Sequence, residues 1–567
     1  MHIRNYHRRF NAIFLLFLIF FVLCLARLIY IQIFRSNYLS GIANKQHNLF
    51  VELEPRRGTI YDTNLRSLAL NMTVDSVYAC PNEIADKDKE AIIRRLMPVL
   101  CLDYAYLKNK LYRSKSFVWL ARKIAVTQSQ EIKAMNIKGV DFIKESKRCY
   151  PNGYLASHII GFAGLDNVGL DGIEVCYDRY LRGESGWALF LRDARQKKLD
   201  LWEQMVLPKD GDDLILTIDE VVQYIAEREL DKAFITTHAK AASIVIMNPH
   251  TGAILALANR PTFDLDGYKD TPKANMRNHA VADLFEPGSV FKIVTAAAAL
   301  EEQKVSEEKK FFCENGAYKI ANHVLHDHQS HGWLTFTQVI EQSSNIGVSK
   351  IAQILGQELL FRYIKLFGFG SKTGIDLPGE TCGMIKDPRF WSKTSIAAIP
   401  MGQEVGVTAL QLTAAISAIA NGGQLMKPYI VQEIKDKYGQ VIKDFSPAAI
   451  RKVMSLDTAS RLRRMLIGVV EQGTGKLAKM EDFSAAGKTG TAQKLEPNGT
   501  YSHNKFVASF IGFAPAEDPL IAMAVIIDEP HPYYFGGVVS APVFKNVASE
   551  VLRYLKTKEP IVITQNE

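Results

Sequence analysis

Three short peptides carry the side chains that could do acyl-transfer chemistry. In chain order they are Ser289-Val290-Phe291-Lys292, Ser343-Ser344-Asn345 and Lys488-Thr489-Gly490. A serine hydroxyl is a poor nucleophile until a base takes its proton. Lys292 lies one helical turn beyond Ser289, on the same face of any helix that holds both. A lysine near its free pKa of about 10.4 is protonated at neutral pH, and burial would favour the neutral amine and make it a base. Ser343 offers a hydroxyl that can pass a proton between that lysine and a leaving or attacking amine. Asn345 offers an amide that can hold a peptide backbone through both donor and acceptor. Lys488, Thr489 and Thr491 can bind a terminal carboxylate by charge and hydrogen bonds. Gly490 between them lets a substrate backbone lie close. The N–H groups of Ser289 and Thr491 are the candidate oxyanion hole. Each peptide alone has a plainer reading, as a capping serine with a solvated lysine or as a polar loop. The order, spacing and context of all three carry the weight.

Local sequence says how these residues are held. Pro287-Gly288 makes a turn, and the Ala-rich run Ile293 to Leu300 is a strong helix former, so Ser289 is expected at a helix N-terminus. Lys488 follows Ser484-Ala485-Ala486-Gly487 and precedes Thr491-Ala492-Gln493, small residues that suit an edge strand open to an extended peptide. Residues 242–247 and 253–258, split by Asn248-Pro249-His250-Thr251-Gly252, read as a β-hairpin. Residues 506–513 and 520–527 read as two more strands, and 541–555 as a terminal helix with Pro542 in its first turn. Thr217-Ile218-Asp219-Glu220 reads as a capping box opening a helix to about Phe234. Strands at both ends and helices between them predict an α+β domain, an antiparallel sheet flanked by helices.

Two peptides compete with these assignments. Lys372-Thr373-Gly374 also follows Ser343, but lies in a Gly/Pro-rich run, Phe367 to Gly379, unlike an edge strand. His323, His326, Asp327, His328 and His331 could bind metal, but their spacing matches no standard zinc pattern and a polar loop is expected; no metal or other cofactor is called for.

The chain as a whole sets the frame. Its 567 residues are too many for one compact domain, and a 47% apolar content is ample for sizeable cores. A net charge of +8 without a basic block argues against nucleic-acid binding. Seven scattered cysteines without a C-x-x-C pair indicate neither a disulfide framework nor a zinc site. Residues 10–30 read as a single transmembrane anchor, apolar from Phe10 to Ala26 apart from Asn11. Arg4, Arg8 and Arg9 precede it without any acid, so residues 1–9 are expected in the cytoplasm and the rest beyond the membrane. No A-x-A-like site follows the apolar run, so the anchor is expected to stay uncleaved. The polar stretch Lys209 to Asp213 marks the expected boundary between a turn-rich region, 31–208, and the domain carrying the three peptides, 209–567.

These peptides match the S-x-x-K, S-x-N and K-T-G set of penicillin-binding proteins and serine β-lactamases. The chain resembles a class B penicillin-binding protein, a monofunctional peptidoglycan D,D-transpeptidase. Glu286-Pro287-Gly288-Ser289 and Gly487-Lys488-Thr489-Gly490-Thr491-Ala492-Gln493 match that family's lead-in and third motif. Arg57-Gly58-Thr59-Ile60-Tyr61-Asp62, Tyr150-Pro151, Gly169 to Glu174 and Leu181-Arg182-Gly183 resemble motifs of its non-catalytic pedestal, the dimerisation-type domain, which β-lactamases lack. Thr63-Asn64-Leu65 departs from the family's usual Arg-Asn-Gly. The resemblance implies a transpeptidase domain on an elongated N-terminal pedestal in the cytoplasmic (inner) membrane, with the catalytic domain extracytoplasmic. It implies cross-linking of peptidoglycan stem peptides, carried on a lipid-linked precursor, through a Ser289 acyl-enzyme with loss of D-Ala. β-Lactam antibiotics would acylate the same serine. Residues 402–411 and 528–544 look most like the septal, FtsI-type branch active in division, with the elongation type as the alternative. A SEDS-family glycosyltransferase and other division proteins are the implied partners. A membrane-anchored β-lactam-hydrolysing or sensing protein and a catalytically silent scaffold are the competing classes.

Overall fold

The computed structural model describes residues 2–39, 48–113, 115, 117–192, 198–321, 323–496 and 498–558. Its elements form two units, Met1–Arg56 with Gly183–Asp210, and Arg57–Arg182 with Gly211–Glu567.

In the first unit a helix, His2–Ile29, continues as a π-helical turn, Tyr30–Phe34. The 28 residues His7–Phe34 are long and apolar enough to cross a membrane. At the helical rise they extend about 42 Å, against about 30 Å of hydrocarbon. Its large side chains from Phe10 to Leu23 are exposed, an arrangement that lipid and not water satisfies. The rest of this unit is an antiparallel sheet with Gly186–Arg192 between Asn48–Leu53 and Lys198–Val206. Residues 40–47 and 193–197 of the expected pedestal lie outside the described residues.

The second unit is built on a five-stranded sheet. Its order is Ile254–Arg260, Ala241–Met247, Ile521–Asp528, Tyr501–Ala514, Ala486–Leu495, with every neighbouring pair antiparallel. The expected hairpin, the two later strands and the terminal helix (Ala541–Lys558) are all present. Residues 241–247 are buried without alternation, because the sheet is covered on both faces. On one side pack the apolar helix Ala409–Ala420 and its neighbours; on the other lie Glu220–Thr236 and Ala541–Lys558. Lys292–Glu301 and Ala409–Ala420 are buried all round, as helices without a polar face must be. The Glu220 helix starts two residues later than its sequence suggests. Asp219 is the N-cap, accepting from Val221 N and Val222 N, while Thr217 Oγ1 donates to Ile254 O at 2.7 Å.

A second, mixed sheet draws on distant parts of the chain. Ile60–Tyr61 runs parallel to Asp213–Leu216, which pairs with Val431–Lys435, and Ser67–Ala79 pairs with Val140–Cys149. Beside it the two pedestal motifs meet. Arg57 Nε and Arg148 Nε each bond Glu174 at 2.6 Å, all three side chains being almost fully buried. Removing either guanidinium from a carboxylate buried in this way would leave an uncompensated charge, so the cluster ties the three segments together.

Candidate active site

Ser289 lies in a 3-10 turn, Gly288–Phe291, that runs straight into the helix Lys292–Glu301. The two residues between serine and lysine are anchors. Val290 and Phe291 are fully buried, and the Phe291 ring packs 5.0 Å from that of Phe369. They force Lys292 inward, where it is fully buried, while Ser289 stays half-buried.

The second peptide meets Lys292 there. Lys292 Nζ donates to Ser343 O, to Ser343 Oγ at 3.2 Å and to Asn345 Oδ1 at 2.8 Å. None of these bonds reaches Ser289 Oγ, and catalytic hydrogen bonds are commonly loose before substrate arrives. Ser343 has a positive φ of 60°, which turns its carbonyl and hydroxyl to the same amine. Ser344, between the two motif residues, is the N-cap of the next helix, Asn345–Leu355, and accepts from Gly347 N at 2.9 Å.

The third peptide is on the edge strand of the five-stranded sheet, as its small residues predict. Lys488 Nζ donates to Ser343 Oγ at 2.8 Å and to Thr489 O at 3.3 Å. One hydroxyl therefore bridges two buried amines. Burial pushes Lys292 down to about 7, with Asp327 pulling the other way. Burial, then repulsion from Lys292, pushes Lys488 well below its ordinary value. Two ammonium ions so close in a dry site repel, so the site favours a shared-proton state. Lys488 presents no exposed surface, so in the free site its contacts are internal rather than those of an open clamp. The hydroxyl of Thr491 accepts from Gly536 N at 3.1 Å, which leaves its own O–H free to donate. Thr489 Oγ1 is 2.7 Å from Thr474 Oγ1. Gly490 runs hard against the turn that carries Ser289: a Cβ there would lie 2.9 Å from Pro287 O and from Val290.

Lys372 takes no part in this cluster. It is exposed, and its neighbour Thr373 donates to Glu380 from both N and Oγ1 at 2.6 Å. The histidine-rich peptide does approach the site, by a route its composition did not reveal. His323–His326 pairs with Ala317–Ile320 in a hairpin, and Asp327 follows as a cap. Asp327 accepts from Ser344 Oγ at 2.7 Å, Asn345 N at 2.5 Å and Ile346 N at 3.0 Å. Asn345 Nδ2 donates to His326 O at 2.9 Å. Among the described residues no group of three or more His, Cys, Asp or Glu is placed to hold a metal. Sequence reading missed Asp327 because an acid eighteen residues before a helix looks like part of its own loop.

Comparison with known proteins agrees with this geometry. The family described as the penicillin binding protein transpeptidase domain matches residues 242–549, and the penicillin-binding protein dimerisation domain matches 52–216. The chain is similar to stage V sporulation protein D of Bacillus subtilis, 39% identical over 98% of this chain and 88% of that protein. It is similar to peptidoglycan D,D-transpeptidase FtsI of Escherichia coli, 30% identical over 96% of this chain and 91% of that protein. Among solved structures it is similar to penicillin binding protein 3 of Mycobacterium tuberculosis complexed with aztreonam, with 27% identity, a TM-score of 0.70, and 89% and 97% of the two chains covered. Two domain matches in sequence order, and relatives of this identity along nearly the whole chain, show that it belongs to the class B penicillin-binding proteins, serine-type peptidoglycan D,D-transpeptidases.

Proposed function

We propose that Ser289 is the nucleophile that takes up the donor stem peptide and that Lys292, unprotonated, is its base. Ser289 Oγ attacks the carbonyl of the penultimate D-Ala, its proton passing to Lys292. The oxyanion is held by the N–H groups of Ser289 and Thr491. As the intermediate collapses, the proton returns through Ser343 to the amine of the departing D-Ala. An amine of a neighbouring stem then attacks the acyl-enzyme, its proton passing along the same relay to Ser289 Oγ as the ester bond breaks and the free serine is restored. Thr489, Gly490 and Thr491 receive the donor's terminal carboxylate, with Lys488 behind them supplying positive field once the carboxylate draws a proton onto it. Asn345 orients the peptide backbone. β-Lactams acylate Ser289 by the same attack.

The observation that carries this reading is the buried Lys292 amine on Ser343 and Asn345, pushed down to about 7. It is tested by incubating the detergent-solubilised protein with a fluorescent penicillin. Stoichiometric labelling that Ser289→Ala abolishes is expected; labelling that survives refutes the assignment, and rapid hydrolytic turnover refutes transpeptidation in favour of a β-lactam hydrolase.

We also read residues 1–9 as cytoplasmic, the catalytic domain as extracytoplasmic, and a SEDS-family glycosyltransferase as the membrane partner. The septal, FtsI-type role rests on residues 402–411 and 528–544. The 39% identity to a stage V sporulation protein favours a second reading, a role in sporulation. Localisation of a tagged copy decides: a signal at the division septum of growing cells supports the first, and one confined to sporulating cells supports the second.

A further inference from the structure

On the far side of the nucleophile's turn lies a cavity of about 430 Å³, within the range of small-molecule sites. Its walls are apolar where Phe285, Met384, Val405, Val507 and Ile526 meet, and Glu286 stands among them. The charge inventory around it is uneven. Arg277 is committed to Asp283, and Lys494 to Asp528 (2.8 Å) and Glu529 (2.7 Å). Glu286 has hydrogen bonds from Glu404 N (2.8 Å) and Tyr501 OH (3.1 Å), both to Oε1, and no cation pairs with it among the described residues. Its Oε2 is buried without any partner. His279, also in the wall, is committed through Nδ1 to Asp283 at 2.7 Å, and its buried Nε2 has no partner. Glu286 thus has an oxygen without a donor in a wall whose carboxylates, Asp283, Glu286 and Asp528, outnumber its Lys and Arg side chains by one. Burial also raises the proton affinity of Glu286, the signature of a carboxylate short of positive charge.

We propose that this cavity binds a small amphipathic organic cation, a primary amine on an apolar body, whose ammonium pairs with Glu286, and that occupancy is felt at Ser289. The path is short. Val405 and Gly406 line the cavity and belong to the segment whose Gly402 O accepts from Gly288 N at 3.3 Å, next to Ser289. Phe285 and Val407 exchange both backbone hydrogen bonds across the same junction. A molecule wedged against Phe285 and Val405 therefore displaces the turn that presents the nucleophile.

The probe is benzylamine, with benzyl alcohol as its uncharged counterpart, titrated by saturation-transfer NMR against the detergent-solubilised full chain. Benzylamine is expected to bind at least tenfold more tightly than the alcohol, with binding retained in the presence of excess penicillin and in Ser289→Ala. Glu286→Gln should bring the amine down to the alcohol's affinity. Leu284→Trp, at a lining residue that is 44% exposed and so tolerant of size, should exclude both. Equal affinities, loss of binding on adding penicillin, or binding indifferent to both substitutions overturns the proposal. Saturating benzylamine should also change the penicillin acylation rate at least twofold, and an unchanged rate overturns the coupling. Because the binding arm uses no step of acyl transfer, its failure is distinct from failure of the Ser289 mechanism.

Discussion

Replacing Asp327 with Asn should move the pH dependence of acylation downward while leaving the site assembled. Asn is isosteric: its Oδ1 can still accept from Asn345 N and Ile346 N, and its amide can donate to Ser344 Oγ, which Asp327 now holds as an acceptor. What is lost is the charge. Lys292 Nζ is 2.8 Å from Asn345 Oδ1, and Asp327 is 2.5 Å from Asn345 N. Spanning one asparagine between those contacts puts the two charges within about 9 Å. At an effective dielectric of about 20 that separation is worth about 1.8 kcal/mol, or a little over one pH unit on Lys292. Asp327 favours the ammonium, so its removal lowers the lysine further from about 7. The base must be neutral to act. The rate of penicillin acylation should therefore rise with pH through about 7 in the native protein and through about 6 in the variant. At pH 6 the variant should reach about half of its own plateau, against about a tenth for the native protein. Stopped-flow acylation with a fluorescent penicillin from pH 5 to 9 reads both limbs. A lower plateau alone would mean only a damaged cap; a limb that stays put or moves upward refutes the electrostatic role and the identity of Lys292 as the titrating base.

Three further outcomes follow from the same geometry. Lys292 has a lower pKa folded than unfolded, so the unfolded chain binds the extra proton between pH 7 and 10.5 and stability must rise with pH across that window. Lys292→Met should abolish acylation, and its stability relative to the native protein should fall by about 2 kcal/mol from pH 7 to pH 9; denaturant titrations at the two pH values would refute this if the difference between the two proteins stayed constant. Lys488→Ala should slow acylation by about 10²- to 10⁴-fold, whereas Lys372→Ala, at an exposed loop position, should leave it within about twofold; equal damage measured by stopped flow would reverse the choice between the two peptides. Gly402 has φ of 79°, and a Cβ there would fall 2.2 Å from Gly288 O, so Gly402→Ala should displace the serine and cost about 100-fold in acylation rate. Gly499→Ala, with φ of 82° but open space around it, should cost only stability, about 1 kcal/mol by thermal unfolding.

Much of this arrangement can be read from residues that have only one good use. The edge strand around Lys488 and the helix behind Ser289 are announced by small residues, an Ala-rich run and a Pro-Gly turn, all local signals. Long-range partners are not local, and there the reading falls short. Asp327 acts as the cap of the Asn345 helix across a hairpin, so its neighbours in sequence point to metal or loop instead. Thr217 looks like the cap of the Glu220 helix, but its hydroxyl is drawn to the Ile254 carbonyl and Asp219 takes the position. Lys488 looks like an exposed clamp because lysines usually are; its complete burial against Ser343 depends on the packing of three segments that no window of sequence contains.

The mixed sheet has a practical corollary. Ile60 sits on the far side of Asp213–Leu216 from Val431–Lys435, and its core neighbours Leu68, Tyr150, Ile159 and Leu181 are continuous with Leu214, Val245 and the helix behind Ser289. A chain trimmed to begin at residue 209 would shed one wall of that interior and bare a β-edge together with a broad oily surface. It should precipitate or mispair instead of yielding an isolated catalyst, so a soluble version is better obtained by removing the lipid-facing helix alone.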